Sequence, residues 1–593
     1  MKARLFALLI LPSLILPSCS GLFDPKSVEQ EVQVYDLDRI RQDSHKRMKK
    51  GFLTTLKARF VDGQPYVPYL SLRQYASLYE SHYGEGFVNK ITNSVFSTTW
   101  GIYKDDEPYF ICVFDYLGEE ISVAGSIASA FSETDDTRDT KALSYGLKTE
   151  SDNVVLSDKN YATYQYGGYD FTVFKSGGDH YFPLGFYDIT FSDNSGIYFT
   201  YNYKYIYSTR DVDLYSSYSH PDEDGVEYTF DSQMLSKKQN DFIPSYLKNY
   251  NANLFLYLMD NFYGLKGNKG IKSAASYYKS KGLYNDLFAE DPEKRTWAYS
   301  DALSVLDDNH TVLVGVNSTW GNPKYKTARR YGDGCRSRNA TRSELQDQRG
   351  SDYTQMRDIT FHDVVISSDK KTALFSFDSF TFGTTSQVFN EDGTVKGSAI
   401  DYDTYFKMID VLQYIKKTGT VENVVLDISL NGGGTIGIMM KLLALISKNN
   451  SSHLAMYEDS TTQLSVITSQ VDINGDGVYD TEDCFGDDLN FYILTSDCSF
   501  SCGNAFPYIA QAEGYAKIIG QKSGGGECAV AIHYLPNSEY VYHSSNLHLG
   551  LYDKAAKTFT GFENGATPDI DYPFVPYYYM IDNLNAVIQN SQK

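Results

Sequence analysis

The sequence predicts a multidomain α+β protein, with an α/β domain towards its C-terminal end and β-rich modules before it. Three observations carry that prediction. From about residue 355 onward, apolar strands alternate with amphipathic helices, the order of an α/β domain. Between residues 84 and 240 the chain is rich in Tyr, Phe, Thr and Gly. Within it, the run Ile197-Tyr198-Phe199-Thr200-Tyr201-Asn202-Tyr203 alternates as a half-buried strand does. Between about 243 and 308 the period turns helical, with Tyr299, Ala302, Leu303 and Leu306 on one face. The 593 residues suffice for about three or four domains. A formal net charge of -22 argues against nucleic acid as a partner.

Taken in order, the chain opens with Lys2 and Arg4 before an apolar run from Leu5 to Leu16, and Pro17-Ser18-Cys19 follows. Residues 1–18 read as an export signal, too short to span a bilayer. Residues 19–50 are polar and charged and read as a tether. Residues 51–240 hold the β-rich modules: a strand from Phe52, a turn at Asp62-Gly63, then a helix ending near Tyr83. Residues 243–321 form a helical region that runs out at Asp307-Asp308-Asn309-His310-Thr311, before a strand from Val312. Residues 322–354 read as a polar, basic loop containing Lys324, Lys326, Arg338 and Arg342. It is either a solvated surface or a place to receive a substrate's carboxylate.

In 355–593 a strand is expected over 372–377. A helix follows with Tyr405, Met408, Ile409, Leu412 and Ile415 on one face, then a buried strand over 424–428. The turn Asn431-Gly432-Gly433-Gly434 leads into an apolar helix reaching about Ile446. Six cysteines lie beyond Cys19: Cys112, Cys335, Cys484, Cys498, Cys502 and Cys528. Their even number permits disulfides in an exported chain. No CxxC pair or Cys/His cluster in the sequence suggests zinc.

The chemistry concentrates between Phe491 and Val530. An apolar strand from Phe491 meets a tight small-residue turn, a helix from about Asn504 to Glu513, a second strand around Lys517 to Ile519, and a Gly-rich loop. A serine at such a strand-to-helix turn stands out from the backbone, and the helix N-terminus offers N–H groups to an oxyanion. Ser501 occupies that place. On this stretch alone, Ser499 and Ser501 read equally well as N-cap hydroxyls.

Four separated motifs resemble one family, the C-terminal processing (tail-specific) serine peptidases. Asp427-Ile428-Ser429-Leu430-Asn431-Gly432-Gly433-Gly434 is similar to the family's Asp-Leu-Arg-x-Asn-x-Gly-Gly signature, and Ser499-Phe500-Ser501-Cys502-Gly503-Asn504 to its Ser-x-Ser-x-x-Glu turn. Asp308-Asn309-His310-Thr311 and Glu563-Asn564-Gly565-Ala566-Thr567-Pro568-Asp569-Ile570 resemble motifs of the histidine-using branch related to the tricorn protease core. The resemblance implies a crotonase-like ββα core with a helical cap. It also implies Ser501 as nucleophile, His310 as base, Glu563 as the group orienting the imidazole, and an oxyanion hole near Gly433 and Cys502. The lysine-using branch fits less well: at its spacing from Ser501 stands Gly526, and the nearest lysine, Lys522, is out of register. Asn504 replaces the usual glutamate, and no PDZ module is recognisable between His310 and Asp427. The signal ending at Cys19 resembles the lipobox of bacterial lipoproteins, which implies lipidation of Cys19 and a place in the bacterial cell envelope, outside the cytoplasm.

A second pattern lies at 472–483. Asp472, Asn474, Asp476, Asp480 and Asp483 put oxygens at positions 1, 3, 5, 9 and 12, with Gly477 at 6 and the Val478 carbonyl at 7. That is the spacing of an EF-hand-type calcium loop. A structural calcium ion is therefore expected, and catalysis is expected to need no cofactor. The expectation is a lipid-anchored peptidase acting on proteins or peptides. Its rival is a non-catalytic surface binding lipoprotein on a decayed peptidase scaffold: Asn309 and Asn504 favour the rival; Ser501, His310 and Glu563 together favour the enzyme.

Overall fold

The apolar runs at 424–426 and 491–494 lie side by side in one sheet because neither leaves a polar face for water. In a computed structural model of the chain, Asn423–Asp427 is buried along its whole length and Asn490–Thr495 along all but its first residue. Strands covered on both faces belong to parallel sheets. These two pair in parallel as the centre of a six-stranded sheet. Its order is Val365–Ile366, Thr372–Ser376, Asn423–Asp427, Asn490–Thr495, Ala516–Gly520 and Ile570–Asp571, with only the first strand antiparallel. Helices Thr404–Thr418, Ile436–Ile446 and Cys502–Ala512 share its apolar core. Each fully buried Leu, Ile or Val there contributes about 1.5–3 kcal/mol.

The structure describes residues 25–37, 51–84, 88–127, 141–155, 159–201, 204–210, 219–221, 227–229, 245–316, 330–356, 364–536, 539–573 and 577–592. The expected export signal and Cys19 lie outside them. No helix among the described residues is long and apolar enough to cross a membrane.

Two segments expected from sequence are corrected. The tether at 19–50 contains a strand, Ser27–Asp36, which sits inside a seven-stranded sheet between Phe52–Val61 and Tyr205–Thr209. Val32 and Val34 are buried while Glu31 and Gln33 face out, a period-two pattern hidden by the charges. The basic loop at 322–354 is largely a helix, Asp333–Gln355. The β-rich region at 51–240 is also tied to the rest of the chain. Leu147–Val155 pairs along its length with Gln463–Val471 of the C-terminal half. Buried residues from Val32 to Val541, including those of the helix Ser245–Asn261, also form one continuous core.

A second seven-stranded sheet is built on the long strand Glu539–Asp553. That strand pairs with Val312–Val316, Ser452–Glu458, Cys528–Tyr534 and Thr558–Gly561. It is this pairing that carries the His310 turn towards the C-terminal domain. The helix expected before the His310 turn forms over Pro292–Ser304, and Tyr299, Ala302, Leu303 and Leu306 are all buried.

Candidate active site

Parallel strands deliver their following loops to the same edge of a sheet. Here the strands Asn423–Asp427, Asn490–Thr495 and Ala516–Gly520 lead into the turns at 428–434, 496–501 and 521–527. The loop at 562–569, which precedes the last strand, joins them. Ser501 stands at this edge, at the N-cap of the helix Cys502–Ala512, with φ 58° and ψ -125°. Such a backbone costs a non-glycine residue about 1–3 kcal/mol, and the surroundings enforce it. The Ser501 amide donates to the Gly525 carbonyl at 2.9 Å, and the Phe500 amide donates to that of Asn431 at 3.0 Å. The Ser501 side chain makes no capping bond. Ser499, by contrast, is fully buried, and its hydroxyl donates to the Ile428 carbonyl at 2.8 Å. The turn thus gives the two serines different tasks, one structural and one outward-facing.

Gly433 lies against Ser501. Its φ is +113°, and a Cβ there would stand 2.8 Å from the Ser501 Cβ and 3.1 Å from its Oγ. Its N–H, however, donates to the Asn431 side chain at 2.8 Å. Of the two groups expected to form the oxyanion hole, the Gly433 amide is therefore already engaged. The Cys502 amide begins the helix, where N–H groups have no intrahelical acceptor. The Cys502 thiol is buried and donates to the Gly434 carbonyl, and burial pushes its pKa up to about 12.

His310 reaches the same edge from the helical region. Its ring packs edge-on against Phe500, the residue before Ser501, with centroids 4.7 Å apart. Asp308 holds the turn: its carboxylate accepts from the His310 amide at 3.0 Å, the Thr311 hydroxyl at 2.6 Å and the Ser544 hydroxyl at 2.8 Å. Burial lowers the His310 pKa; Arg338 adds to the effect and Asp308 opposes it.

Glu563 is fixed from the other side. Its carboxylate accepts from the amides of Gly526 at 3.2 Å and Glu527 at 3.1 Å. Burial and the charges of Asp308 and Glu527 raise its pKa, against those two hydrogen bonds. Asn504 fixes this loop to the nucleophile helix: its amide donates to the Phe562 carbonyl at 3.0 Å, and its oxygen accepts from the Ser523 hydroxyl at 2.7 Å. A hydrogen-bonded Ser501–His310–Glu563 chain is not closed. Among the described residues, neither Ser501 Oγ nor the His310 ring makes a hydrogen bond, and His310 Nδ1 is buried without a partner. Lys522 is exposed.

Sequence reasoning names Arg338 and Arg342 but not the helix that brings them to this edge. The helix Asp333–Gln355 crosses in front of it. Arg338 lies over the Phe500 ring at 5.0 Å and donates to the Gly524 carbonyl at 3.0 Å, and Arg342 donates to the Leu430 carbonyl at 2.8 Å. Asp307 accepts from the Gly334 and Cys335 amides at the start of that helix. The signal was available: Arg338, Arg342, Leu345, Arg349 and Asp352 recur at helical spacing, but their charge reads as a loop, either solvated or receiving a substrate's carboxylate. The buried Tyr263 hydroxyl and Arg338 Nε also lack partners. With His310 Nδ1 they are buried polar atoms with no partner in the protein, groups that a water or a substrate could meet.

In the acidic loop, Asp472 accepts from the Gly475 amide at 2.7 Å and the Gly477 amide at 3.0 Å. Asn474, Asp476 and Asp480 each accept from an amide two residues on. Asp483 accepts from those of Ile473 and Asp480. Val478 is exposed at the tip. Among the described residues, the loop's carboxylates do not draw three ligating oxygens within 4.8 Å of one another.

Among curated proteins none matches the chain. Of solved structures, the photosystem II D1 C-terminal processing protease is similar at 13% identity over 35% of this chain, with a TM-score of 0.25. The alignment spans only 44% of that protease's own length. A Parabacteroides merdae ATCC 43184 protein described as a peptidase is similar at 15% identity over 59% of this chain and 96% of its own, with a TM-score of 0.38. Mature CPAF is similar at 11% identity over 59% of this chain and 99% of its own, with a TM-score of 0.37. The family model for peptidase family S41 matches residues 391–572, which contain the Gly433 turn, Ser501, Asn504 and Glu563. The C-terminal part of this chain is a peptidase family S41 domain.

Proposed function

We propose that the protein is an exported, lipid-anchored serine peptidase that hydrolyses peptide bonds of proteins or peptides. The observation that supports this best is the Ser501 elbow. A serine held at positive φ between a parallel strand and a helix N-terminus is the geometry of an exposed nucleophile. In this reading Ser501 Oγ attacks the scissile carbonyl and His310 takes its proton. Glu563 then orients and stabilises the imidazolium, and the Cys502 amide faces the oxyanion. The lowered pKa of His310 keeps the ring neutral, the form a base needs. Its unpartnered Nδ1 remains available, and catalytic hydrogen bonds commonly tighten only when substrate binds. For Gly433 to join the oxyanion hole, its amide would have to leave Asn431.

A structural calcium ion at 472–483 belongs to the same reading. The donors offered, from Asp472, Asn474, Asp476, Asp480, Asp483 and the Val478 carbonyl, are all oxygen, which suits calcium. No step of peptide hydrolysis is assigned to it. Lipidation of Cys19 would hold the chain in the bacterial envelope, and loss of palmitate labelling in Cys19→Ser tests that anchor.

The deciding experiment is labelling of the purified protein by a fluorophosphonate probe. Wild type should be labelled once and Ser501→Ala not at all. The open Ser501–His310–Glu563 chain favours the rival, a non-catalytic binding lipoprotein, and an unlabelled, folded wild type would overturn the peptidase reading.

A further inference from the structure

Behind Glu563 the fold gathers a second cluster that the peptidase reading does not use. Cys528 and His548 are direct cross-strand partners on the antiparallel strands Cys528–Tyr534 and Glu539–Asp553. Glu527 immediately precedes Cys528, and the register shifts between Cys528 and Val530. All three side chains are buried. Glu527 Oε1 lies 2.8 Å from His548 Nδ1, Cys528 Sγ lies 3.6 Å from the same nitrogen, and all three ligating atoms fall within 4.8 Å of one another. Among the described residues this is the only such group.

We propose that Glu527, Cys528 and His548 bind one divalent transition-metal ion of the zinc class. A tetrahedral ion bound at about 2.0–2.3 Å holds neighbouring ligand atoms roughly 3.3–3.8 Å apart, so shifts of about an ångström would seat it. The donor set is one thiolate sulfur, one imidazole nitrogen and one carboxylate oxygen. That mixture selects zinc or cobalt over calcium and magnesium, which take oxygen. Three protein ligands leave a fourth position for water. The surroundings favour a cation: the charges of Asp308 and Glu563 reach Cys528, and those of Glu458 and Asp459 reach His548. Binding replaces protons. The Cys528 thiol loses one, and the proton that His548 Nδ1 shares with Glu527 is released from the imidazolium or moved to Nε2. Two positive charges then meet one thiolate, one carboxylate and a neutral imidazole.

The site is coupled to Glu563 through the other carboxylate oxygen. Glu527 Oε2 accepts from the Glu563 amide at 2.9 Å while the Glu527 amide donates to Glu563. An ion on Oε1 leaves Oε2 free for that bond, so occupancy acts on the position of the Glu563 loop.

The test is a cobalt(II) titration of the full chain, followed by absorption; it needs no peptidase activity. One equivalent should bring a thiolate-to-cobalt charge-transfer band in the near ultraviolet and tetrahedral d–d bands in the visible. Ser501→Ala should bind cobalt as wild type does, whether or not the chain is a peptidase. Cys528→Ser should abolish the charge-transfer band. His548→Gln should weaken binding by at least the 10–100-fold typical of losing an outer-shell partner. Circular dichroism would confirm that both variants are folded. No thiolate band in wild type, or a band of unchanged affinity in either folded variant, overturns the site.

Discussion

At the Ser501 edge, segments around 310, 338, 431, 501, 525 and 563 meet, although long stretches of chain separate them. In the acidic loop at 472–483, every hydrogen bond to an Asp or Asn side-chain oxygen comes from an amide of the loop itself. The two regions hold equally short motifs and behave differently. The loop satisfies its carboxylates with its own amides and, among the described residues, does not draw three of them together. The Ser501 edge leaves polar atoms unsatisfied because rigid elements fixed elsewhere bring them together. Preorganised, unpaired groups mark a site more firmly than a matching spacing does.

The predictions that break or sharpen this comparison begin with Ser501. Ser501→Ala should abolish peptide hydrolysis, a loss of several orders of magnitude, without altering the thermal transition. Retained activity would remove Ser501 from the mechanism. His310→Ala should cost about three orders of magnitude or more in turnover. Because burial lowers the His310 pKa, its neutral form persists to lower pH, and the acid limb of the pH–rate profile should lie below about 6.5. Arg338→Gln removes a nearby positive charge that disfavours protonation, so it should move that limb upward. A limb unmoved by that change would show that His310 is not the group titrating.

Next is Asn504→Ala, which should cost about 1–3 kcal/mol of stability, because the buried Ser523 hydroxyl loses the acceptor for its proton while the Phe562 carbonyl keeps only the Gly565 amide. Its turnover should fall less than in the two variants above. Unchanged melting and turnover would mean that the Glu563 loop does not depend on this tie. The acidic loop should matter to stability alone and not to turnover. Calorimetry should detect one calcium per chain in wild type and none in Asp476→Ala. At a hundredfold excess over its dissociation constant, the ion should add about 2.7 kcal/mol of stability. Equal heats from the two proteins would remove the ion from 472–483. Smallest is Lys522→Ala, expected to leave turnover unchanged; an inactive variant would instead favour a serine–lysine pair.

What the sequence determined by itself was local. Strands such as Asn423–Asp427 and Asn490–Thr495 and the helices Thr404–Thr418 and Ile436–Ile446 were legible because uninterrupted apolar runs and one-sided apolar faces can be satisfied in few ways. The places of Ser501, His310 and Glu563 were legible through four short motifs. Tertiary structure decided what each polar group meets. It put Ser27–Asp36 inside a sheet, turned the basic segment into the helix that lays Arg338 over Phe500, committed the Gly433 amide to Asn431, and set Cys528 opposite His548. None of these follows from spacing along the chain. Apolar periodicity is a property of neighbouring residues, whereas the partner of a charge or an amide depends on which distant strand the core places beside it.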